Sequence, residues 1–264
     1  MTSGVRYERR GAAAVVTVDR PQRRNAVDAA AAGALTAALD RFEADPDALV
    51  LVLNGAGGDA FCAGFDLGDL PSGPEGLGDP GVGARVADPN GPMGVTRRIT
   101  TKPTVAAVSG WCVGGGLELA LWCDLRIAAR GSVFGVFNRR WGVPLVDGGT
   151  QRLPRIVGLG RALDLVLTGR AVDTDEALAI GLVTEVVEPG AHLDRAVAVA
   201  DGLARFPRTG LLTDRRSLLD GLGLPLRDGL ALEARNGEGA LRDALAGAAR
   251  FRAGEGRGGA GTGV

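Results

Sequence analysis

Two glycine-bearing turns, each following an apolar strand-like run, hold the residue types most able to do chemistry. The first is Val108–Ala120, VSGWCVGGGLELA, in which three consecutive glycines precede a helical pattern with Glu118 in its first turn. Glycine there lets a backbone approach a ligand closely, and the free N–H groups at a helix start carry partial positive charge. Such donors suit an oxygen on which negative charge develops. The same glycines would equally serve tight helix–strand packing, with Glu118 complementing the helix dipole. The second is Asn54–Leu67, NGAGGDAFCAGFDL, which follows the apolar run Leu49–Leu53. Read alone it is a surface loop; read with the first, each turn could lend one N–H to a single oxygen.

The elements that must position these turns are legible from periodicity. Short β-branched and aliphatic runs predict strands at Ala14–Val18, Leu49–Leu53, Thr104–Val108, Leu125–Ala128 and Val183–Val187. Asp28 is placed to cap a helix with Leu35, Leu39 and Phe42 on one face. Helices are expected from Gly114–Gly116 through Leu121, over Arg161–Leu167 and over Thr174–Ile180. Strands alternating with helices imply an α/β core with buried parallel pairing. From His192 to about Arg252 the pattern is helical, with breaks at Phe206-Pro207 and Gly221–Pro225. Pro71–Gly94 reads as a long polar loop that would shape a pocket, and Gly254–Val264 as a disordered tail. The expected divisions are a core over 1–195, a helical region over 196–253 and the tail over 254–264.

Composition removes several classes of function. Thirty basic and thirty-one acidic side chains give a formal charge of −1, and aromatics make up 4%. That leaves neither a basic footprint nor stacking platforms for nucleic acid. His192 is the only histidine, which argues against multi-histidine zinc sites and most histidine-based triads; no metal is expected. Ser109 as a nucleophile would have to reach His192 in the helical third. Cys62, Cys112 and Cys123 form no CxxC pair, lie in apolar surroundings and read as reduced thiols. The first ten residues lack a signal-peptide core and no run is long enough to span a membrane, so a soluble cytoplasmic protein is expected. Gly158–Ala162, GLGRA, lacks the third glycine and βαβ setting of a dinucleotide loop.

In order and spacing the chain resembles the enoyl-CoA hydratase/isomerase, or crotonase, superfamily over most of its length. The matching pieces are RRNAV at Arg23–Val27, AFCAGFDL at Ala60–Leu67, KPTVAAV at Lys102–Val108 and VGGGLE at Val113–Glu118. Cys123-Asp124 and GGTQRLP at Gly148–Pro154 continue the match. The resemblance implies an α/β spiral of ββα units with a C-terminal helical trimerisation region, assembled as a homotrimer or a dimer of trimers. It further implies that the backbone N–H groups of Phe65 and Gly115 hold the thioester oxygen of an acyl-CoA as it becomes an enolate. Arg23, Arg24, Ala26, Ala63, Gly64, Asp66 and Leu67 would meet coenzyme A, which enters as part of the substrate rather than as a separate cofactor. Asn138 and Trp141 would border the acyl pocket, with Phe137 beside them.

Hydratases of this superfamily use two glutamates. The first corresponds to Glu118; the second falls, by ungapped count from Phe134-Gly135, on Asn138. An amide exchanges no proton near neutral pH. Asp147 lies in a segment that lines the site in relatives and is the candidate replacement, unless it is simply a turn residue before Gly148-Gly149. Arg139 and Arg140 flank the gap and could pair a carboxylate. Hydration of a 2-enoyl-CoA, as in fatty acid metabolism, is the leading expectation. Isomerisation, decarboxylation, C–C cleavage and thioester hydrolysis are the other reactions such a site supports, and a catalytically weak CoA-thioester binder is the alternative class.

Overall fold

The computed structural model describes residues 4–69 and 80–254, so the expectation for the tail beyond Gly254 lies outside the described residues. Among the described residues nine strands form two sheets. The larger has the order β1 (Val5–Arg10), β2 (Ala13–Val18), β3 (Val50–Gly55), β5 (Thr104–Val108), β7 (Leu125–Ala129) and β9 (Glu185–Val187). The smaller contains β4 (Ala60–Cys62), β6 (Trp111–Val113) and β8 (Val133–Gly135). Among the described strands β1 and β2 pair antiparallel, and the other strand–strand pairings are parallel. From β3 to β8 each successive ββ pair gives one strand to each sheet, which is the expected spiral of ββα units. Four short strands were not visible in the sequence. At three residues, β4, β6 and β8 fall below the length at which alternation is detectable, and β1 is half-exposed with charges at alternate positions.

Period-two alternation divides the large sheet between two cores. Ala14, Val16 and Val18 of β2 face α1 (Ala29–Ala44), whereas Ala13 and Val15 join Val50, Val52, Val105 and Ile127 against α7 (His192–Ala204). The expected division at 195 therefore falls inside α7, a helix whose Ala196, Val199 and Ala200 are buried on the sheet. As expected, Asp28 caps α1, its carboxylate accepting the Ala31 N–H at 2.8 Å. Part of the segment read as a polar loop is helical instead, as α2 (Pro80–Ala87); the glycines at 81 and 83 hide it from a propensity reading. Helix α3 (Gly115–Trp122) is buried on all sides from Gly116 onward, and a Cβ on Gly116 would lie 1.9 Å from the Cys62 carbonyl of β4.

Helices α4 (Gly149–Val157), α5 (Leu159–Thr168) and α6 (Thr174–Ala179) close the core. Beyond α7, α8 (Arg208–Gly221), α9 (Leu226–Glu238) and α10 (Leu241–Arg252) bury no residue completely, and Leu218, Leu226, Leu241 and Leu245 stand exposed. Arg215 ties α8 to the core, donating to Asp124 Oδ2 at 2.8 Å and to the Thr100 carbonyl at 2.6 Å. Among the described residues no helix is long and apolar enough to cross a membrane.

The single lysine closes the end of α1. Lys102 Nζ is buried and donates to the carbonyls of Phe42, Asp45 and Ala48 at 2.6, 2.7 and 3.0 Å, satisfying all three of its N–H donors. Lys102→Met keeps the aliphatic stem and withdraws the charged donor from three carbonyls. It is expected to lower unfolding free energy by about 2–4 kcal/mol in urea denaturation, a loss Lys102→Arg restores only in part.

Candidate active site

The two turns meet. Phe65 forms an isolated parallel bridge with Val27, in which Val27 N–H donates to the Gly64 carbonyl at 2.8 Å and Asp66 N–H donates to the Val27 carbonyl at 3.0 Å. A parallel bridge of this register uses the flanking residues, so the N–H of Phe65 itself is turned away from Val27. Gly115 opens α3, where an N–H has no partner within the helix. Neither the Phe65 nor the Gly115 N–H donates to any group among the described residues. Their turns abut so closely that a Cβ on Gly64 would sit 2.8 Å from the Gly115 nitrogen, and Gly64 has a φ of 99°. Both residues line one cavity of about 810 Å³. This is the geometry of a two-donor anion site.

Further contacts hold the first turn in place. Asn25, buried with φ 56°, accepts the Arg20 N–H and donates Nδ2 to the carbonyls of Ala56 and Ala60. Arg20 pairs with both Asp28 and Asp66, at 2.6 and 3.2 Å. The Cys62 thiol sulfur accepts the Gly64 N–H at 3.3 Å.

Glu118 lies on the same cavity, 3% exposed. Its Oε1 accepts the N–H groups of Asp147 and Gly149 at 2.9 and 2.8 Å. A Cβ on Gly149 would stand 2.9 Å from that oxygen, which is why a glycine is needed there. Burial pushes the Glu118 carboxyl up to about 7, helped by the neighbouring Asp147 charge and opposed by the two N–H bonds and Arg152. Asp147 also lines the cavity and is buried. Its Oδ1 accepts the Met93 N–H at 3.0 Å and the Thr96 hydroxyl. Burial raises its carboxyl too, against those two bonds and the charges of Arg97 and Arg152. Oε2 of Glu118 and Oδ2 of Asp147 carry no hydrogen bond among the described residues and remain available to a bound molecule. Arg152 braces the segment, donating to the carbonyls of Asp147 and Thr96 at 3.0 and 2.6 Å.

Asn138 stands on the cavity wall beside Gly114. Its Nδ2 donates to the Val143 carbonyl at 2.7 Å, while Oδ1 is buried without a partner. Trp141 is on the rim, 71% exposed, and Phe137 is part of the wall. Of the residues expected to meet coenzyme A, Arg24, Ala63 and Leu67 line the cavity. Gly64 supplies the close approach and Asp66 the brace to Arg20, whereas Arg23 and Ala26 do not line the cavity. Ser109 is buried outside the cavity lining. Met93, Thr96 and Arg152, which hold Asp147, were not visible in the sequence, because a carboxylate's anchors leave no local pattern. Asp69, Arg85, Val86 and Pro92 also line the cavity; all but Asp69 lie in the segment read as a loop.

Two substitutions test this geometry. Gly64→Ala forces a side chain into a left-handed φ and a methyl against the Gly115 N–H. It is expected to cost about 1–3 kcal/mol of stability and to lower turnover about 100-fold or more with the circular dichroism spectrum retained. Glu118→Gln separates stability from activity. A carboxyl raised from its ordinary 4.5 to about 7 contributes stability below 4.5 that is lost as pH climbs through 7. At about 1.4 kcal/mol per tenfold change in proton affinity, the buried charge costs about 3 kcal/mol at pH 8. Glutamine keeps the oxygen that accepts both N–H bonds, so in urea denaturation the variant should be the more stable protein at pH 8 and equal to the parent near pH 4.5.

Residues 8–244 match the family model described as enoyl-CoA hydratase/isomerase. An (E)-benzylidenesuccinyl-CoA hydratase of Thauera aromatica is 36% identical over 82% of this chain and 82% of its own. A short-chain-enoyl-CoA hydratase of Clostridium acetobutylicum is 33% identical over 88% of this chain and 87% of its own. The crystal structure of an enoyl-CoA hydratase from Mycobacterium marinum superposes with a TM-score of 0.85 at 35% identity, covering 95% of this chain and 96% of that one. Converging backbone donors, a carboxylate beside them and these likenesses lead to one conclusion: the chain belongs to the enoyl-CoA hydratase/isomerase family.

Proposed function

We propose that this protein is an enoyl-CoA hydratase that binds its thioester oxygen between the Phe65 and Gly115 N–H groups. The observation that carries the reading is the pair of unpartnered N–H groups opening onto the same cavity as a carboxylate poised at about 7. Addition of water to a 2-enoyl thioester forms a C–O bond at the β carbon and sends electrons to the carbonyl oxygen. Two fixed donors aimed at that oxygen stabilise the enolate, each by about 3–4 kcal/mol, with the start of α3 adding its dipole. Glu118 exchanges a proton with the water or the α carbon, and a group titrating near 7 serves equally as acid or base at neutral pH. Asp147 is the second proton-exchanging carboxylate in place of the amide at 138. No separate cofactor enters this chemistry.

Relatives named as hydratases at 33–38% identity support the reaction class. The exposed leucines of the last three helices favour a homotrimer or dimer of trimers, and the reduced buried cysteines fit a cytoplasmic setting.

Crotonyl-CoA incubated with the protein should give a product 18 mass units heavier. The kcat/KM profile should titrate with a midpoint near 7, and Glu118→Gln should lower kcat by about 1,000-fold and abolish that limb. Asp147→Asn should cost about 100-fold. Double-bond migration without mass change, and insensitivity to Asp147→Asn, would replace hydration by single-carboxylate isomerisation. Loss of CO2 would indicate decarboxylation, and tight binding without turnover a binding protein.

A further inference from the structure

The two carboxyls on the cavity are held in different ways. Glu118 accepts backbone N–H groups alone, whereas Asp147 Oδ1 accepts the Met93 N–H at 3.0 Å and also the hydroxyl of Thr96. Thr96 is fully buried, and a Cβ on Gly91, which has a φ of 87°, would run into both Thr96 Oγ1 and Asp147 Oδ1. The segment carrying Met93 and Thr96 is itself tied down. Thr36 of α1 donates to the Gly94 carbonyl at 2.7 Å, and Arg152 of α4 donates to the Thr96 carbonyl at 2.6 Å. Asp147 Oδ2 has no partner among the described residues and, unlike the enclosed Oδ1 of Asn138, keeps accessible surface.

An oxygen that already accepts two donors is a poor place for a further hydrogen, so a proton on this carboxyl sits on Oδ2. Both donors also favour the anion over the acid. Arg97 and Arg152 face the same carboxyl with positive charge and Glu118 faces it from α3, while burial keeps the neighbouring Cys62 thiol of β4 neutral. Burial raises both carboxyls, Glu118 to about 7, but at Asp147 the hydroxyl bond and Arg97 oppose that rise. Environments that separate two titrating groups in this way divide the work of acid and base between them.

We propose that Thr96 is a positioning residue whose hydroxyl makes Asp147 the base and leaves Glu118 the acid when water is added. This rests on the hydration reading above. Asp147 Oδ2 takes a proton from the attacking water as the water oxygen bonds to the β carbon. The electron pair of the double bond passes to the thioester oxygen, and Glu118 gives its proton to the α carbon as the carbonyl re-forms. Exchange with solvent then returns both carboxyls to their starting states.

The test is the pH profile of kcat/KM on crotonyl-CoA for the wild type, Thr96→Val, Thr96→Ser and Asp147→Asn. The wild type should lose activity on the acid side as Asp147 takes a proton, and on the alkaline side near 7 as Glu118 loses its own. Removing a bond donated to the anion raises a carboxyl. Thr96→Val should therefore move the acid limb up by about one pH unit, leave the other limb in place and lower kcat about tenfold, with KM within about twofold. Thr96→Ser keeps the hydroxyl and should return the limb to its wild-type position. If Thr96→Val does not fold, Thr96→Ala removes the same hydroxyl without a methyl added beside Gly91 and should show the same shift. An acid limb unmoved by loss of the hydroxyl, whatever the fall in rate, would overturn the inference and leave hydration intact. A serine variant shifted as far as the valine variant would overturn it too, since shape and not the hydroxyl would then be at work. Wild-type activity with the acid limb retained in Asp147→Asn would instead remove Asp147 from the proposed hydration, and this inference with it.

Discussion

The contact between Gly64 and Gly115 is the constraint on which the site depends. Two backbone segments approach until a single carbon between them would clash, and this sets two N–H groups side by side with nothing of the protein's own to bond. Every larger feature serves that approach. Alternating strands between two parallel sheets brings the ends of β4 and β6 to one rim. Helix α3 then drops directly onto β4, with Gly116 against the Cys62 carbonyl. The helix start can lie so deep only because α3 is apolar on nearly every face and needs no solvent. Arg126, buried behind it, supplies donors to the Ala120, Cys123 and Leu182 carbonyls at its other end. An orphaned pair of donors is ordinarily a defect; rigid neighbours turn it into preorganised electrostatics.

The same burial acts on the Glu118 carboxyl. Glu118 has two backbone N–H bonds that favour its anion, yet loss of solvent and the adjacent Asp147 outweigh them. Its carboxyl comes to rest near neutrality, where proton exchange in both directions is cheap. The geometry that permits this is again glycine-dependent, since Gly148 is left-handed and Gly149 must admit a carboxylate oxygen close to its own α carbon. Stability and reactivity are therefore opposed at this one side chain.

Legibility in the sequence followed length and locality. Long apolar strands, the Asp28 cap and the helix after the triple glycine announced themselves through periodicity and capping chemistry. The short strands β4, β6 and β8 did not, since each owes its pairing to the sheet it joins. The two glycine-bearing turns are local signals at strand ends, whereas Phe65 and Gly115 as the donors are implied only by the family resemblance. The stacking of Arg85 on the Phe65 ring has no such signal, since it relates residues twenty apart. The role of α7 was hidden likewise: its buried face became visible only against β3, β5 and β7.

Asn138 and Asp147 bring different chemistry to the same cavity. The amide at 138 exchanges no proton; its Nδ2 is engaged with the Val143 carbonyl, and its Oδ1 is buried without a partner among the described residues. The Asp147 carboxylate stands on a segment joined directly to Glu118 by the Asp147 N–H. One Asp147 oxygen is anchored by Met93 and Thr96, which fixes the side chain, and the other is left for a ligand. A group anchored at one oxygen and free at the other has the rigidity that proton transfer demands without losing its lone pair to the fold. Two titrating carboxyls linked through one peptide N–H also repel one another's charge, so ionisation of either holds the proton more firmly on its partner. That coupling favours the singly ionised state, one base and one acid together, which is the state that adding water across a double bond requires.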